Sequence, residues 1–278
     1  MATFYNQATL TYNNTTVSSN IVSGEITEAL TAAKTAVSDS YSAGGTITYA
    51  VSLVNTGSTE LTGITLTDDL GAYEAEGTSY TPLTYEDGSA ELFVNGVLQP
   101  APAAVTTSPL VFSDIVIPAG GNAVIIYQAA ANEFAPPDTG SVITNTVTAA
   151  AGGNTVTATA TVPVEDEAVL SISKSLSPTE VTGNSPITYG FMIQNTGNTA
   201  ESAAVITDTF DPVLTDITVT FNSEKAAATG YTYDEQTGVF ATTAGAFTVP
   251  AATFTRDPVT GAYATVPGTA YITVTGTL

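Results

Sequence analysis

The feature that most restricts how this chain can fold is a repeat. "TITYAVSLVNTG" (46–57) returns as "PITYGFMIQNTG" (186–197), and Lys34/Lys174, Tyr49/Tyr189, Asn55/Asn195 and Asp68/Asp208 each stand 140 positions apart, with no gap needed. A repeat of this kind decides the architecture before any local reading does. Further on, "IPAGGNAVIIY" (117–127) matches "VPGTAYITV" (266–274), after a few loop residues gained by the second copy. The first copy continues through "SVITNTVTAAAGGNTVTATATVPV" (141–164), and the second reaches Leu278 before that segment. Its counterpart is at the other end of the chain, where residues 2–22 match roughly 141–162. "FYNQATLTYNNTTV" places Asn6 eleven residues before Val17, as "ITNTVTAAAGGNTV" places Asn145 eleven before Val156.

The repeats read as all-β. Thr46–Val54, Ile64–Thr67, Ala123–Gln128 and Val156–Val162 alternate apolar and polar residues and are rich in Val, Ile, Thr and Tyr. "NTGS", "NTGN", "AGG" and "EDG" supply the turns between strands. This pattern predicts two tandem immunoglobulin-like β-sandwiches with extra strands inserted between 71 and 115 and between 211 and 265. The expected division is a donor hairpin over 1–22, a complete sandwich over 23–165 and an incomplete one over 166–278. One stretch, "GEITEALTAAKTAV" (24–37), has the local pattern of a short amphipathic helix. Its alignment with "AVLSISKSLSP" (168–178) assigns it to a strand. The acidic "PVEDEA" (163–168) reads as a solvated hinge, with calcium binding left open.

Composition removes whole classes of function. Four Lys+Arg against 26 Asp+Glu give a net charge of -22, which repels phosphate backbones and anionic membrane surfaces. Neither a nucleic-acid partner nor membrane insertion is expected. With no Cys and no His, the chain has neither disulfides nor the commonest general base and metal ligand. No Gly-rich phosphate loop or nucleophile elbow is present, so no enzyme acting on an outside substrate, no cofactor and no metal is expected. "MATFYNQATL" lacks the charged and apolar parts of a signal peptide, from which we expect a mature form or another export route.

Period-two parity tells which face a strand residue occupies. Lys174 shares parity with Leu170, Ile172 and Leu176; Asp208 with Ile206 and Phe210; Asp68 with Ile64, Leu66 and Leu70. Asn145 goes with Ile143 and Val147, and Asn6 with Phe4, Ala8 and Leu10. Each set, Lys34 with Asp68 and Asn145 or Lys174 with Asp208 and Asn6, thus has a Lys, an Asp and an Asn aimed at one core. A lone buried charge costs several kcal/mol, so these groups must be paired, neutral or reacted. Desolvation favours a neutral amine beside a protonated acid, and such an amine is a nucleophile. The Asp polarises the Asn carbonyl and shuttles a proton while the Lys attacks, ammonia leaves and an isopeptide remains. A hydrogen-bonded cluster that never reacts is the alternative. Lys225 and Arg256 fall outside the repeat match and read as surface residues.

The order of inward Lys, "TITYAVSLVNTG", "TDDL" or "TDTF", "IPAGG" and "ITNTVT" resembles the bacterial surface repeats catalogued as domain of unknown function eleven. Those repeats occur in large cell-wall proteins and clostridial spore-appendage subunits. The resemblance covers nearly the whole chain. It implies an immunoglobulin-like fold and an intramolecular Lys–Asn isopeptide with an Asp catalyst, falling here on Lys34, Asn145 and Asp68. The second repeat departs from the pattern, having Lys174 and Asp208 but no Asn strand of its own.

The N-terminal hairpin carries the missing Asn. Residues 23–29 span at most about 25 Å, against a diameter of about 35 Å for a unit of this size. The hairpin is therefore expected to enter the second sandwich of a neighbouring copy by strand addition. A head-to-tail contact of that kind propagates into a filament. The function this predicts is a structural subunit of a self-assembling extracellular homopolymer on a spore or cell surface, a spore appendage or pilus-like fibre. It would be locked by intermolecular Lys174–Asn6 bonds with Asp208 as catalyst, the only chemistry being autocatalytic. The competing reading is a monomeric adhesin or binding module excised from a longer repeat protein.

Overall fold

The computed structural model describes residues 2–26 and 30–278, and every regular element among them is a strand. The strand reading of 24–37 holds over Val22–Ile26 and Leu30–Ala36, and its residues 27–29 lie outside the described ones. The cause of the all-β fold is visible strand by strand. Along Thr46–Asn55 the alternate residues Ile47, Tyr49, Val51, Leu53 and Asn55 are buried, and along Val142–Ala151 so are Ile143, Asn145, Val147, Ala149 and Ala151. The chain divides into two compact units, Met1–Asn132 with Ile143–Val162, and Glu133–Val142 with Pro163–Leu278.

The first unit is an immunoglobulin-like sandwich of two antiparallel sheets. One runs in the order Val97–Leu98, Glu91–Val94, Asn122–Ala131, Thr46–Asn55, Leu30–Ala36; the other runs Ala104–Thr107, Leu110–Ile117, Leu61–Asp68, Val142–Ala151, Asn154–Pro163. Aromatic rings bridge the sheets. Phe112 of the second sheet meets Tyr127 and Tyr85 of the first at centroid distances of 6.1 and 6.0 Å. With Leu53, Ile64, Leu66 and Leu110 they form a sealed core, each such side chain contributing about 1.5–3 kcal/mol by burial. The insertion between 71 and 115 holds the Tyr73–Ala75/Thr78–Tyr80 hairpin and further short strands, as expected.

The second unit repeats the first sheet's scheme, with Leu170–Ser177 beside Pro186–Asn195 and Gly268–Thr277 next, but its other sheet is cut short. There Thr207–Thr209 pairs with Val239–Thr242, which pairs with Tyr231–Tyr233. In the first unit the Asp68 strand is central, flanked by Leu110–Ile117 and Val142–Ala151; in the second the Asp208 strand is an edge. The core is nonetheless dense around Phe191, Phe210, Leu214, Phe240, Val249 and Ile272.

Asn55 and Asn195 are fully used clasps. Each Nδ2 donates to a carbonyl four residues on, Thr59 (2.8 Å) and Thr199 (2.7 Å), and to a proline carbonyl, Pro118 and Pro250 (both 3.0 Å). Each Oδ1 accepts from the following Gly, Gly57 or Gly197, at 2.9 Å. These bonds correct one expectation. The counterpart of Ile117–Pro118 is Val249–Pro250, not Val266–Pro267, because the Thr253–Arg256/Tyr263–Val266 hairpin is inserted between that clasp and the next strand. Sequence matching cannot see an insertion whose far end imitates its near end.

Residues 2–26 form a hairpin whose strands pair with one another. Thr9–Tyr12 pairs with Thr15–Ser18, and Ala2–Asn6 with Val22–Ile26. The two-residue turn is Asn13–Asn14, with φ of 43° and 63°; the corresponding turn of the first unit is Gly152–Gly153, with φ of 54° and 89°. Both satisfy the left-handed pair required by a tight hairpin, Gly without a side-chain clash and Asn at small cost. Ser19 interrupts the ladder, its amide donating to the Ala8 carbonyl and its hydroxyl accepting from the Ala8 amide, so that Asn6 faces Val22.

Candidate crosslinking sites

In the first unit Lys34 reaches across the sandwich from one sheet to Asp68 on the other. Its Nζ donates to Asp68 Oδ2 at 2.6 Å, with the two side chains 0% and 2% exposed. The second oxygen, Oδ1, accepts from the Leu70 amide at 2.8 Å. The ammonium lies 4.7 Å from the Tyr49 ring centroid and 5.9 Å from that of Tyr127, and the two rings stack at 5.7 Å. Burial draws the Lys34 amine down to about 8, against the opposing pull of the Asp68 charge and hydrogen bond and of Asp69.

Asn145 comes to the same place from the neighbouring strand. Asp68 pairs in register with Val147, and Asn145 lies two positions along on the same inward face. Its side chain is completely buried, yet neither Oδ1 nor Nδ2 has a hydrogen-bond partner, and the Tyr49 hydroxyl is likewise unpartnered. The amide is near enough to favour ionisation of both Tyr49 and Tyr127, in each case against a larger upward push from burial. Proximity is present without hydrogen-bond geometry. Leaving a buried amide unpaired costs about 1–3 kcal/mol for each polar group, so the arrangement as folded holds an unsatisfied carboxamide beside a desolvated amine.

Two side chains not expected from sequence complete this site. The Tyr127 hydroxyl donates to Asp68 Oδ2 through a short contact, and burial together with the Asp68 charge holds its phenol well above the usual range. Asp69 Oδ1 accepts from the amides of Thr146 (2.9 Å) and Gly71 (2.8 Å), and the Asp69 amide donates to the Thr146 carbonyl at 3.0 Å. The available signal was parity: Tyr127 falls in step with the buried Ala123, Ile125 and Ala129, and a buried Tyr normally finds a partner for its hydroxyl.

In the second unit Lys174 and Asp208 also meet, as an ion pair without hydrogen-bond geometry at Asp208 Oδ2. Asp208 Oδ1 accepts from the Thr209 amide at 2.9 Å. Three rings surround the Lys174 ammonium, Tyr189 at 4.7 Å and Phe191 and Phe210 at 5.6 Å. Unlike its counterpart, this site is open: the Lys174 side chain is 43% exposed and that of Asp208 17%. The rest of the strand is open too, Leu170 being 39% exposed where Leu30 is 3%.

Asn6 is exposed on the N-terminal hairpin, in the company of Phe4, Tyr5, Leu10, Tyr12, Val17, Ile21 and Val22, all exposed. Lys225 is exposed, as expected. Arg256, read as a surface residue, is half-buried, stacked 4.7 Å from the Tyr263 ring centroid and donating to its hydroxyl at 2.9 Å. Among the described residues no group of three or more acidic side chains is placed to hold a metal ion.

No protein-family model matches the chain. No curated protein sequence matches it either. Among solved structures, the chain is similar to the pilus backbone RrgB from Streptococcus pneumoniae, with 12% identity, 86% of this chain and 55% of that one covered, and a TM-score of 0.36. It is similar to BcpA, the major pilin subunit of Bacillus cereus, with 10% identity, 96% and 73% covered, and a TM-score of 0.38. It is also similar to the full-length major pilin SpaD from Corynebacterium diphtheriae, with 11% identity, 61% and 47% covered, and a TM-score of 0.36. The chain spans about half of that RrgB structure and 37% of the full-length RrgB chain.

Proposed function

We propose that this chain is the structural subunit of a self-assembling extracellular filament, in which the N-terminal hairpin of each copy completes the second sandwich of the next. One observation carries this reading: the Asp208 strand is a sheet edge at the position where the Asp68 strand has the Asn145 strand beside it. An open edge flanked by exposed Leu170 and Ile172 is a template for an added strand. The hairpin matches the strands that close the first unit in its spacing, in the parity of its Asn and in its two-residue left-handed turn. A second copy is therefore the occupant, and the head-to-tail relation extends without closing unless a rotation makes a ring.

The same reading assigns chemistry to the two constellations. Lys34 passes a proton along its contact with Asp68, and the neutral amine attacks the Asn145 Cγ. The Nζ–Cγ bond forms and the Cγ–Nδ2 bond breaks; the proton held by Asp68 goes to Nδ2, which leaves as ammonia, and the second proton shed by Nζ is taken up by Asp68. Between copies, Lys174, Asp208 and the neighbour's Asn6 perform the same exchange. Resemblance to spore-appendage repeats points to a spore or cell surface as the setting.

Electron microscopy of the purified protein together with a boiled denaturing gel tests the proposal. Filaments and a covalent ladder are expected. A single band at 28.2 kDa with no fibres would leave the monomeric adhesin or binding module as the reading.

A further inference from the structure

The two constellations share Lys and Asp but differ in what surrounds them. Tyr127 faces Tyr49 across its sheet, and the residue that faces Tyr189 in the same register is Val274. Asp69 follows Asp68, and Thr209 follows Asp208. The second unit thus lacks both of the groups that tie the first site together. In the first unit Tyr127 contacts the carboxylate of Asp68, and Asp69 the backbone next to Asn145.

We propose that Tyr127 and Asp69 are positioning residues of the Lys34–Asn145 reaction, Tyr127 orienting the Asp68 carboxylate toward Lys34 and Asp69 pinning Thr146 so that Asn145 is presented beside it. This rests on the reading of an isopeptide between Lys34 and Asn145. The geometry behind it is specific. Asp68 Oδ2 receives both the Lys34 ammonium and the Tyr127 hydroxyl, so the carboxylate cannot rotate away without losing both. Asp69 and Thr146 exchange two hydrogen bonds, one through the carboxylate and one through the backbone, which fixes the Asn145 strand against the Asp68 strand one residue from each reacting side chain. Neither residue touches the Lys34 amine nitrogen or the Asn145 carboxamide; Tyr127 touches only the Asp68 oxygen that carries the proton. Both act on how often the amine and the carboxamide meet at reacting distance, and a displacement of about 1 Å costs about a hundredfold in such reactions.

The titratable and charged groups at this site are Lys34, Asp68, Asp69, Tyr41, Tyr49 and Tyr127. Removing the Tyr127 hydroxyl withdraws a hydrogen bond from the carboxylate that faces Lys34. Because that hydroxyl shares Asp68 Oδ2 with the ammonium, its loss leaves the ammonium held more tightly, and the amine becomes neutral at higher pH.

The test is peptide mapping of the full-length protein at intervals after synthesis, at several pH values, counting the Lys34–Asn145 crosslinked pair against the free peptides. In Tyr127→Phe, which keeps the ring, the pair is expected to form about a hundredfold more slowly, and its rate is expected to rise with pH from a higher midpoint than in the unaltered chain. Asp69→Asn, whose amide oxygen still accepts from Thr146, should crosslink near the normal rate, whereas Asp69→Ala should be slow. Normal rates and an unmoved pH profile in Tyr127→Phe and Asp69→Ala would overturn the proposal alone. Free peptides only in the unaltered, folded protein would overturn the underlying bond and the proposal with it.

Discussion

Lys34 and Lys174 stand at the same position of the two repeats, each paired in register with the residue 17 places further on, Val51 or Phe191, and each ion-paired with the Asp of its own unit. One side chain is sealed and the other is 43% exposed. The difference comes from what lies over them. The Asn145 strand and the strand after it extend the sheet opposite Lys34, and no described strand pairs with the free edge beside Asp208.

Lys34→Ala should leave filaments intact and weaken each subunit. The proposed Lys34–Asn145 bond lies within one chain and closes a loop of about a hundred residues, for which the chain-entropy estimate is about 4–5 kcal/mol. The substitution also strands the Asp68 carboxylate in the core. Denaturant titration should show a lower midpoint for the first unit, and mass spectrometry the loss of one crosslinked pair.

Asp208→Ala should separate assembly from covalent closure. The edge and the exposed apolar face persist, so a neighbour's hairpin should still dock through Phe4, Leu10 and Val17, each contributing about 1.5–3 kcal/mol when buried. Fibres should be visible by microscopy and fall to monomers on boiling in detergent. A full covalent ladder from this variant would show that Asp208 is dispensable.

Removing residues 1–22 should abolish polymerisation and leave the first sandwich folded, since its two sheets are built from Leu30–Pro163. Added to intact protein, the truncated chain should stop growing filaments at one end, which length distributions would record. A peptide of residues 2–22 should become bonded to Lys174, and its Asn6→Ala form should bind without bonding. Bonding of the peptide to Lys34 would defeat the head-to-tail arrangement.

The amine predicts a pH dependence once the bond is prevented. In Asn145→Ala the Lys34 amine would titrate near 8 when folded and near its ordinary 10.5 when unfolded. Between those values the unfolded chain binds more protons, so stability should rise with pH from about 8 upward. Tyr49 and Tyr127 titrate higher in the fold than in the unfolded chain, so above about 10 the trend should reverse. Urea midpoints of the variant at pH 7, 8, 9 and 10.5 would follow both limbs; a flat profile between 7 and 9 would show that Lys34 is not desolvated.

Much of this was written locally in the chain. Alternation with a period of two placed Asp68 and Asn145 on inward faces, alignment with Lys174 did the same for Lys34, and the structure buries all three. Internal repetition located Lys174, Asp208 and the hairpin, and the turn at Asn13–Asn14 follows from residues that tolerate positive φ. These are properties of a strand or a turn by itself, set by where consecutive side chains must point. The folded chain alone decided how the two sheets stack and which strands stand side by side, because those depend on packing among residues far apart in sequence. Tyr127 meets Asp68 across 59 positions, and Asp69 meets Thr146 across 77. The exposure of Lys174 is of the same kind: parity points it to a core face, and whether that face is covered depends on strands which this repeat does not contain.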